Sequence, residues 1–216
     1  GAGNVVRNIV ALGGSTTFVS VVGNDDVGTA ITKLTAKEPQ VYPYLITDNG
    51  RISTEKTRYI AGTQQLLRAD METSAPLAER YQEQIIDIVR QEAQRHQAIV
   101  LSDYGKGVLT EKLVREVITI AKEVDVPVIV DPKSNDFSRY ANSFLVSPNL
   151  KELSAAFGLE LKHEEDVLDA AKILMRANGI ENILVTRGAA GMLLMPAEGK
   201  PFAVSARARE IYDVSG

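Results

Sequence analysis

Four short runs, AIVLS (98–102), PVIVD (127–131), FLVS (144–147) and NILVT (182–186), are apolar at almost every position and rich in β-branched residues. A strand with one wet face alternates apolar and polar residues; a strand without that alternation is buried on both faces and needs layers above and below it. TTFVSVV (16–22) has the same character. Helical stripes separate the runs. Tyr81, Ile85, Ile88, Val89 and Ala93 share one face of 77–94. Leu113, Val114, Val117, Ile120 and Ala121 share one face of 110–124, with Thr110 as N-cap. Val167, Ala170, Ala171 and Leu174 share one face of 165–179, with Gly179 placed to end that helix. Strand–helix–strand repeats of this length predict an α/β fold, a mainly parallel sheet with helices on both faces.

One segment departs from this rhythm. VYPYLITDNGRISTEKTRYIAGTQQLLRAD (41–70) reads as three short strands with turn signals at DNG and AGT, an antiparallel insert of the size of a lid. Its exposed edges make a homodimer an expectation. No linker divides the 216 residues, which read as one domain expected to be cut at both ends.

Composition narrows the chemistry. The chain has no cysteine and two histidines, which excludes disulfides, thiolate catalysis and histidine-rich metal sites. The absence of cysteine fits a reducing compartment, so the expected location is the cytoplasm. A net charge of -4 with mixed signs argues against a nucleic-acid surface, and no apolar run approaches the ~18 residues of a membrane span.

Parallel α/β sheets bind ligands beyond the carboxyl ends of their strands. The segments there are SDYGKG (102–107), DPKSND (131–136), SPNLKE (147–152) and TRGAAG (186–191). Asp103, Lys106, Asp131, Lys133, Asn149, Glu152, Thr186 and Arg187 line this edge, a mixture suited to polyphosphate and Mg²⁺. Each piece has a plainer reading beside it. Asn149 and Glu152 are spaced as a capping box, 186–191 could be a hairpin turn, and Asp131-Pro132 is a common strand exit. Lys106, set between two glycines, has no evident helix face or salt-bridge ladder to serve. At the front, GAGNVVRNIVALGG joins glycines to an apolar helix (Val5, Ile9, Leu12), with Asn4 a candidate N-cap.

Taken in order, these segments resemble the ribokinase-like (PfkB) carbohydrate kinases. GAGNVVRNIVALGG with VSVVGNDDVG is similar to the first family signature, SPNLKE to its N-x-x-E motif, TRGAAGM to its nucleotide turn and YDVSG to the start of its second signature. KTRYIAGTQQLLRADME, VLSDYGKG and DPKSNDFSRY resemble, within that family, the heptose 7-phosphate kinase domains of bacterial ADP-heptose synthases.

The resemblance implies ATP and Mg²⁺ as cofactors and a small sugar phosphate as substrate, D-glycero-β-D-manno-heptose 7-phosphate phosphorylated at C1, for lipopolysaccharide core synthesis. It implies that Gly1, Gly3 and Asn4 contact the sugar, that Gln65 and Arg68 close over its phosphate and that Lys106 and Lys133 face phosphate oxygens. Asn149 and Glu152 would organise Mg²⁺ through water, Thr186, Arg187 and Gly188 would support the nucleotide, and Gly216 would begin the anion hole. The catalytic Asp it implies falls beyond Gly216. A non-catalytic nucleotide- and sugar-binding fragment, a related kinase for another sugar or a nucleoside, and at lower weight a nicotinamide-dependent dehydrogenase stay open at this point.

Overall fold

A computed structural model describes residues 1–62 and 64–206. They form two units, one of Gly1–Ile88 with Lys106–Val108, the other of Val89–Gly105 with the chain from Leu109 on.

The first unit opens with α1 (Ala2–Ala11), whose N-cap is Gly1 without a side-chain cap. Asn4, expected as the cap, lies instead inside the first turn: the Asn4 amide already donates to the Gly1 carbonyl at 2.8 Å, so the helix starts earlier. The buried residue is Val6, and Leu12, expected on the apolar stripe, is 89% exposed just past the last turn. β1 (Thr16–Gly23) leads into α2 (Asp26–Thr35). Asp25 caps that helix through Gly28 N (2.6 Å) and also accepts from Ser53 N (2.8 Å). β2 (Val41–Asp48) pairs in parallel with β1 over its whole length.

The expected 41–70 insert therefore divides. Its first strand belongs to a parallel pair, and only β3 (Glu55–Ala61) and β4 (Gln64–Met71) form an antiparallel hairpin, turning at Gly62 with φ +61°. Alternation gives the hairpin two faces. Lys56, Arg58, Arg68 and Asp70 share one; Thr57, Tyr59, Leu67, Ala69 and Met71 share the other. α3 (Glu79–Glu92) follows, burying Tyr81, Gln82, Ile85 and Ile86.

The second unit is the expected layered sheet. β5 (Ile99–Ser102), β6 (Val128–Asp131), β7 (Leu145–Val146) and β8 (Asn182–Thr186) are parallel neighbours in sequence order, and β9 (Met192–Met195) and β10 (Phe202–Val204) extend the sheet antiparallel. α4 (Glu111–Glu123) buries every residue of its expected stripe, and Thr110 caps it through Leu113 N at 3.2 Å. α5 (Leu150–Phe157) buries Leu153. α6 (Glu164–Asn178) buries Val167, Ala170, Ala171 and Leu174 and ends on Gly179 at φ 63°. The core is continuous through Val130, Val146, Ile183 and Val185, each no more than 1% exposed. Among the described residues no helix is long and apolar enough to cross a membrane.

Candidate active site

Because β5 to β8 are parallel and adjacent, their carboxyl ends share one edge of the second unit, and the backbone stays in register just past it. Asp103 N donates to Asp131 O (2.9 Å), Ser147 N to Val130 O (2.8 Å) and Thr186 N to Pro148 O (2.9 Å), and Asn149 forms a parallel bridge with Thr186. The four polar segments are thereby brought side by side.

A buried network fixes the first two. Asp103 accepts from Gly105 N (2.8 Å) and from the Tyr140 hydroxyl (2.7 Å), and Arg139 stands 3.7 Å away, its guanidinium over the Tyr140 ring. The same hydroxyl accepts from the amides of Lys133 and Ser134, each at 3.4 Å. Tyr140 is fully buried, and burial, then the Asp103 carboxylate, push its phenol well above its usual range. It therefore works as a neutral pin joining the 102–107 and 131–136 segments. Sequence reasoning missed it; the signal available was a lone tyrosine five residues before the β7 strand, which spacing alone does not mark as polar machinery.

Asp131 retains exposed area, yet the chain around it removes enough water to push its carboxyl up. Glu152 and Asp103 add to that rise, and Lys133 opposes it. Lys133 Nζ lies 3.4 Å from Glu152 Oε1. Asn149 and Glu152 form the reciprocal capping box of α5: Glu152 N donates to Asn149 Oδ1 (2.8 Å) and Asn149 N to Glu152 Oε2 (3.0 Å). The segment 186–191 is the turn of the β8–β9 hairpin, closed by Arg187 N to Gly191 O (2.8 Å). Gly191 sits at φ +85°, and a β-carbon there would run into the Val204 carbonyl. Arg187 points to Glu164 of α6 at 2.7 Å, so its charge is committed to the fold rather than free for a ligand.

In the first unit, Gly1, Gly3 and Asn4 stand exposed at the start of α1, and a β-carbon on either glycine would meet nothing within 4 Å. Packing among the described residues does not account for these glycines. Gln65 and Arg68 lie on β4. Arg68 is opposite Arg58 in the hairpin register and 3.0 Å from Asp70. Arg58 has no ion-pair partner among the described residues. It too escaped the sequence reading, although the alternation of Lys56 and Arg58 was in the sequence; what was lacking was the register that sets Arg58 against Arg68.

Lys106 corrects a further expectation. It does serve a salt-bridge ladder: Glu72 pairs with both Lys106 and Lys56 (3.3 Å), and Lys56 pairs with Asp70 (3.0 Å). Gly216 lies outside the described residues.

The sequence pattern of the pfkB family carbohydrate kinases matches residues 1–216. The chain belongs to that family. Among curated proteins, the bifunctional protein HldE of Paramagnetospirillum magneticum is 44% identical over 216 residues, covering 100% of this chain and 44% of its own length. HldE of Rhodospirillum rubrum gives the same figures. The chain thus spans less than half the length of the curated relatives it matches. Among solved structures, phosphofructokinase-2 from Escherichia coli in complex with potassium superposes with a TM-score of 0.79 at 26% identity, covering 96% of this chain and 66% of that one. The Arabidopsis thaliana ribokinase complexed with ribose and ATP, at TM-score 0.75 and 19% identity over 99% of this chain and 68% of that one, shares the fold. The fold is ribokinase-like.

For a pfkB kinase the fit of Mg²⁺ is the relevant question. Among the described residues no cluster of three or more His, Asp or Glu could cage a metal ion. Asn149 and Glu152 spend their inner hydrogen bonds on each other, leaving Glu152 Oε1 facing outward to Lys133. That donor set fits a cation coordinated largely by water and phosphate, the habit of Mg²⁺.

Proposed function

We propose that the chain is the sugar-phosphate kinase part of a longer protein, transferring the γ-phosphoryl group of ATP to C1 of D-glycero-β-D-manno-heptose 7-phosphate, a step toward ADP-heptose and the lipopolysaccharide core. The observation that carries the phosphorylated substrate is the Arg58–Arg68 pair. Arginines at directly opposed positions of a hairpin are unfavourable unless an anion joins them, and a planar fork binds phosphate oxygens in pairs. The HldE proteins, which the chain matches from end to end, support the substrate class.

In this reading Arg58, Arg68 and Gln65 hold the 7-phosphate, with Lys106 as a further cation toward phosphate oxygens. The side-chain-free start of α1 at Gly1 and Gly3 lets backbone amides and Asn4 approach the sugar hydroxyls. The second unit takes the nucleotide: Thr186 and Gly188 present backbone to it, and Lys133 neutralises phosphate oxygens. Arg187 shapes that turn through Glu164. Asn149 and Glu152, with Asp131 on the same edge, would hold Mg²⁺ through water; the ion supplies charge neutralisation on the phosphates.

The anomeric hydroxyl oxygen forms the new bond to the γ-phosphorus, the bond to the β-bridging oxygen breaks, and ADP leaves. The hydroxyl proton passes to a general base, a role for which the resemblance implies an Asp. Positioning and charge neutralisation supply most of the rate in such transfers. The apolar hairpin face (Tyr59, Leu67, Met71) supports a homodimer, since a two-stranded hairpin is marginal alone and these three are more than half exposed.

The test is ADP release by the full-length protein across heptose 7-phosphate, fructose phosphates, ribose and adenosine. Release with heptose 7-phosphate and not with ribose or adenosine is expected; the reverse overturns the substrate assignment.

A further inference from the structure

We infer that Glu72 is a positioning residue for the sugar-phosphate subsite, holding Lys106 at a set place relative to Arg68. The inference rests on the kinase reading above.

The geometry is a row of alternating charges. Arg68 Nε is 3.0 Å from Asp70 Oδ1, Asp70 Oδ2 is 3.0 Å from Lys56 Nζ, and Lys56 Nζ is 3.3 Å from Glu72 Oε2. Glu72 Oε1 then bonds Lys106 Nζ. Both ends of the row are cations assigned to phosphate; everything between them is a spacer of carboxylate, ammonium and carboxylate. Within the spacer, Lys56 and Asp70 face each other across the hairpin and tie β3 to β4, whereas Glu72 lies just past the end of β4. The Lys106 main chain is secured separately, its carbonyl accepting from Arg51 Nη1 (2.9 Å) and the Gly107 carbonyl from Leu77 N (2.8 Å). Arg51 also donates to Ala75 O (2.7 Å). Gly107, at φ +74°, lets the Ala75 carbonyl approach closer than a β-carbon would permit. With the backbone held by these bonds, Glu72 acts on the Lys106 side chain.

A lysine left to itself populates many rotamers, and ordering it on binding costs side-chain entropy. Glu72 orders it in advance while taking one of its three N–H donors, which leaves two for a ligand. The Lys106 hydrogen bond holds the Glu72 carboxyl below its usual range, and the Asp70 bond raises Lys56, so the row stays charged through neutral pH.

The experiment compares Glu72→Gln, Glu72→Asp, Lys106→Met and the Glu72→Gln/Lys106→Met pair in the full-length protein, with heptose 7-phosphate and ATP as substrates. Glu72→Gln is expected to raise KM for heptose 7-phosphate roughly tenfold, leaving KM for ATP and the melting temperature unchanged. Glu72→Asp recovers part of the loss, and the double variant is no worse than Lys106→Met alone. A normal sugar-phosphate KM in Glu72→Gln or in Lys106→Met, or losses that multiply in the double variant, overturns the positioning role alone. A wild-type protein inert toward every phosphorylated sugar overturns the kinase reading and the inference with it.

Discussion

Arg58 and Arg68 stand directly opposite each other in the antiparallel register of β3 and β4, on the hairpin face that also carries Lys56 and Asp70. Asp70 answers only one of them, at 3.0 Å from Arg68. Like charges directly opposite are unfavourable in a sheet, so the arrangement makes physical sense when a third, anionic group completes it.

Arg58→Ala is therefore expected to raise KM for the phosphorylated sugar about 10–100-fold, the loss of a charge-assisted pair of hydrogen bonds. KM for ATP should stay where it was. The melting temperature should hold or rise slightly, because a repulsive neighbour has gone. Steady-state kinetics with each substrate varied in turn, beside a thermal melt, check this; a loss of stability with unchanged sugar-phosphate KM contradicts it.

Asn149 and Glu152 satisfy both halves of a capping box, and the same pair is assigned to Mg²⁺ through water. The two roles predict separable effects for Asn149→Ala. Loss of the cap lowers unfolding free energy by about 1 kcal/mol, measurable by denaturant titration. The metal role requires in addition that turnover per folded molecule need a higher Mg²⁺ concentration to reach half-maximum. A superimposable Mg²⁺ curve would leave the cap as the whole explanation.

Asp131 carries the opposite sign. Its folded-state carboxyl is raised, first by loss of solvation and then by Glu152 and Asp103, so the folded chain holds the proton more tightly than the unfolded one. Below the ordinary value of 3.8 both states are protonated and nothing is lost. As pH rises through the folded value, the cost of the charged form appears in full and persists at neutrality. Asp131→Asn should melt higher than wild type at pH 7, with the gap closing below about pH 4. Melting temperature against pH decides the point: a constant gap, or a less stable variant at pH 7, contradicts it.

Much of the second unit was legible in the sequence because its signals are local. The unbroken apolar runs at 128–131 and 182–186, the stripes of α4 and α6, the Thr110 cap and the Gly179 stop each depend on residues a few positions apart. The first unit resisted for the opposite reason. VYPYLITD reads as a short strand running into a turn signal, and nothing within it says that its partner is TTFVSVVG in parallel. Asn4 has cap chemistry, but the Gly1 carbonyl had already taken up the first helical bond.

The site divided the same way. Asn149 with Glu152 showed through spacing, whereas Lys106 looked unattached because Glu72 lies 34 positions away in sequence. Arg58 stayed hidden until the bulge between Tyr59 and Ile60 fixed which residues of the hairpin share a face.

The central claim, phosphoryl transfer to the anomeric hydroxyl of a sugar that already bears a phosphate, is tested most directly by phosphorus-31 NMR of the full-length protein with heptose 7-phosphate, ATP and Mg²⁺. The account predicts that ATP signals fall as ADP signals grow, and that a second sugar phosphate resonance appears, coupled to the anomeric proton, while the 7-phosphate signal persists. ATP consumed without a new anomeric phosphate, or a new phosphate elsewhere on the sugar, would contradict it.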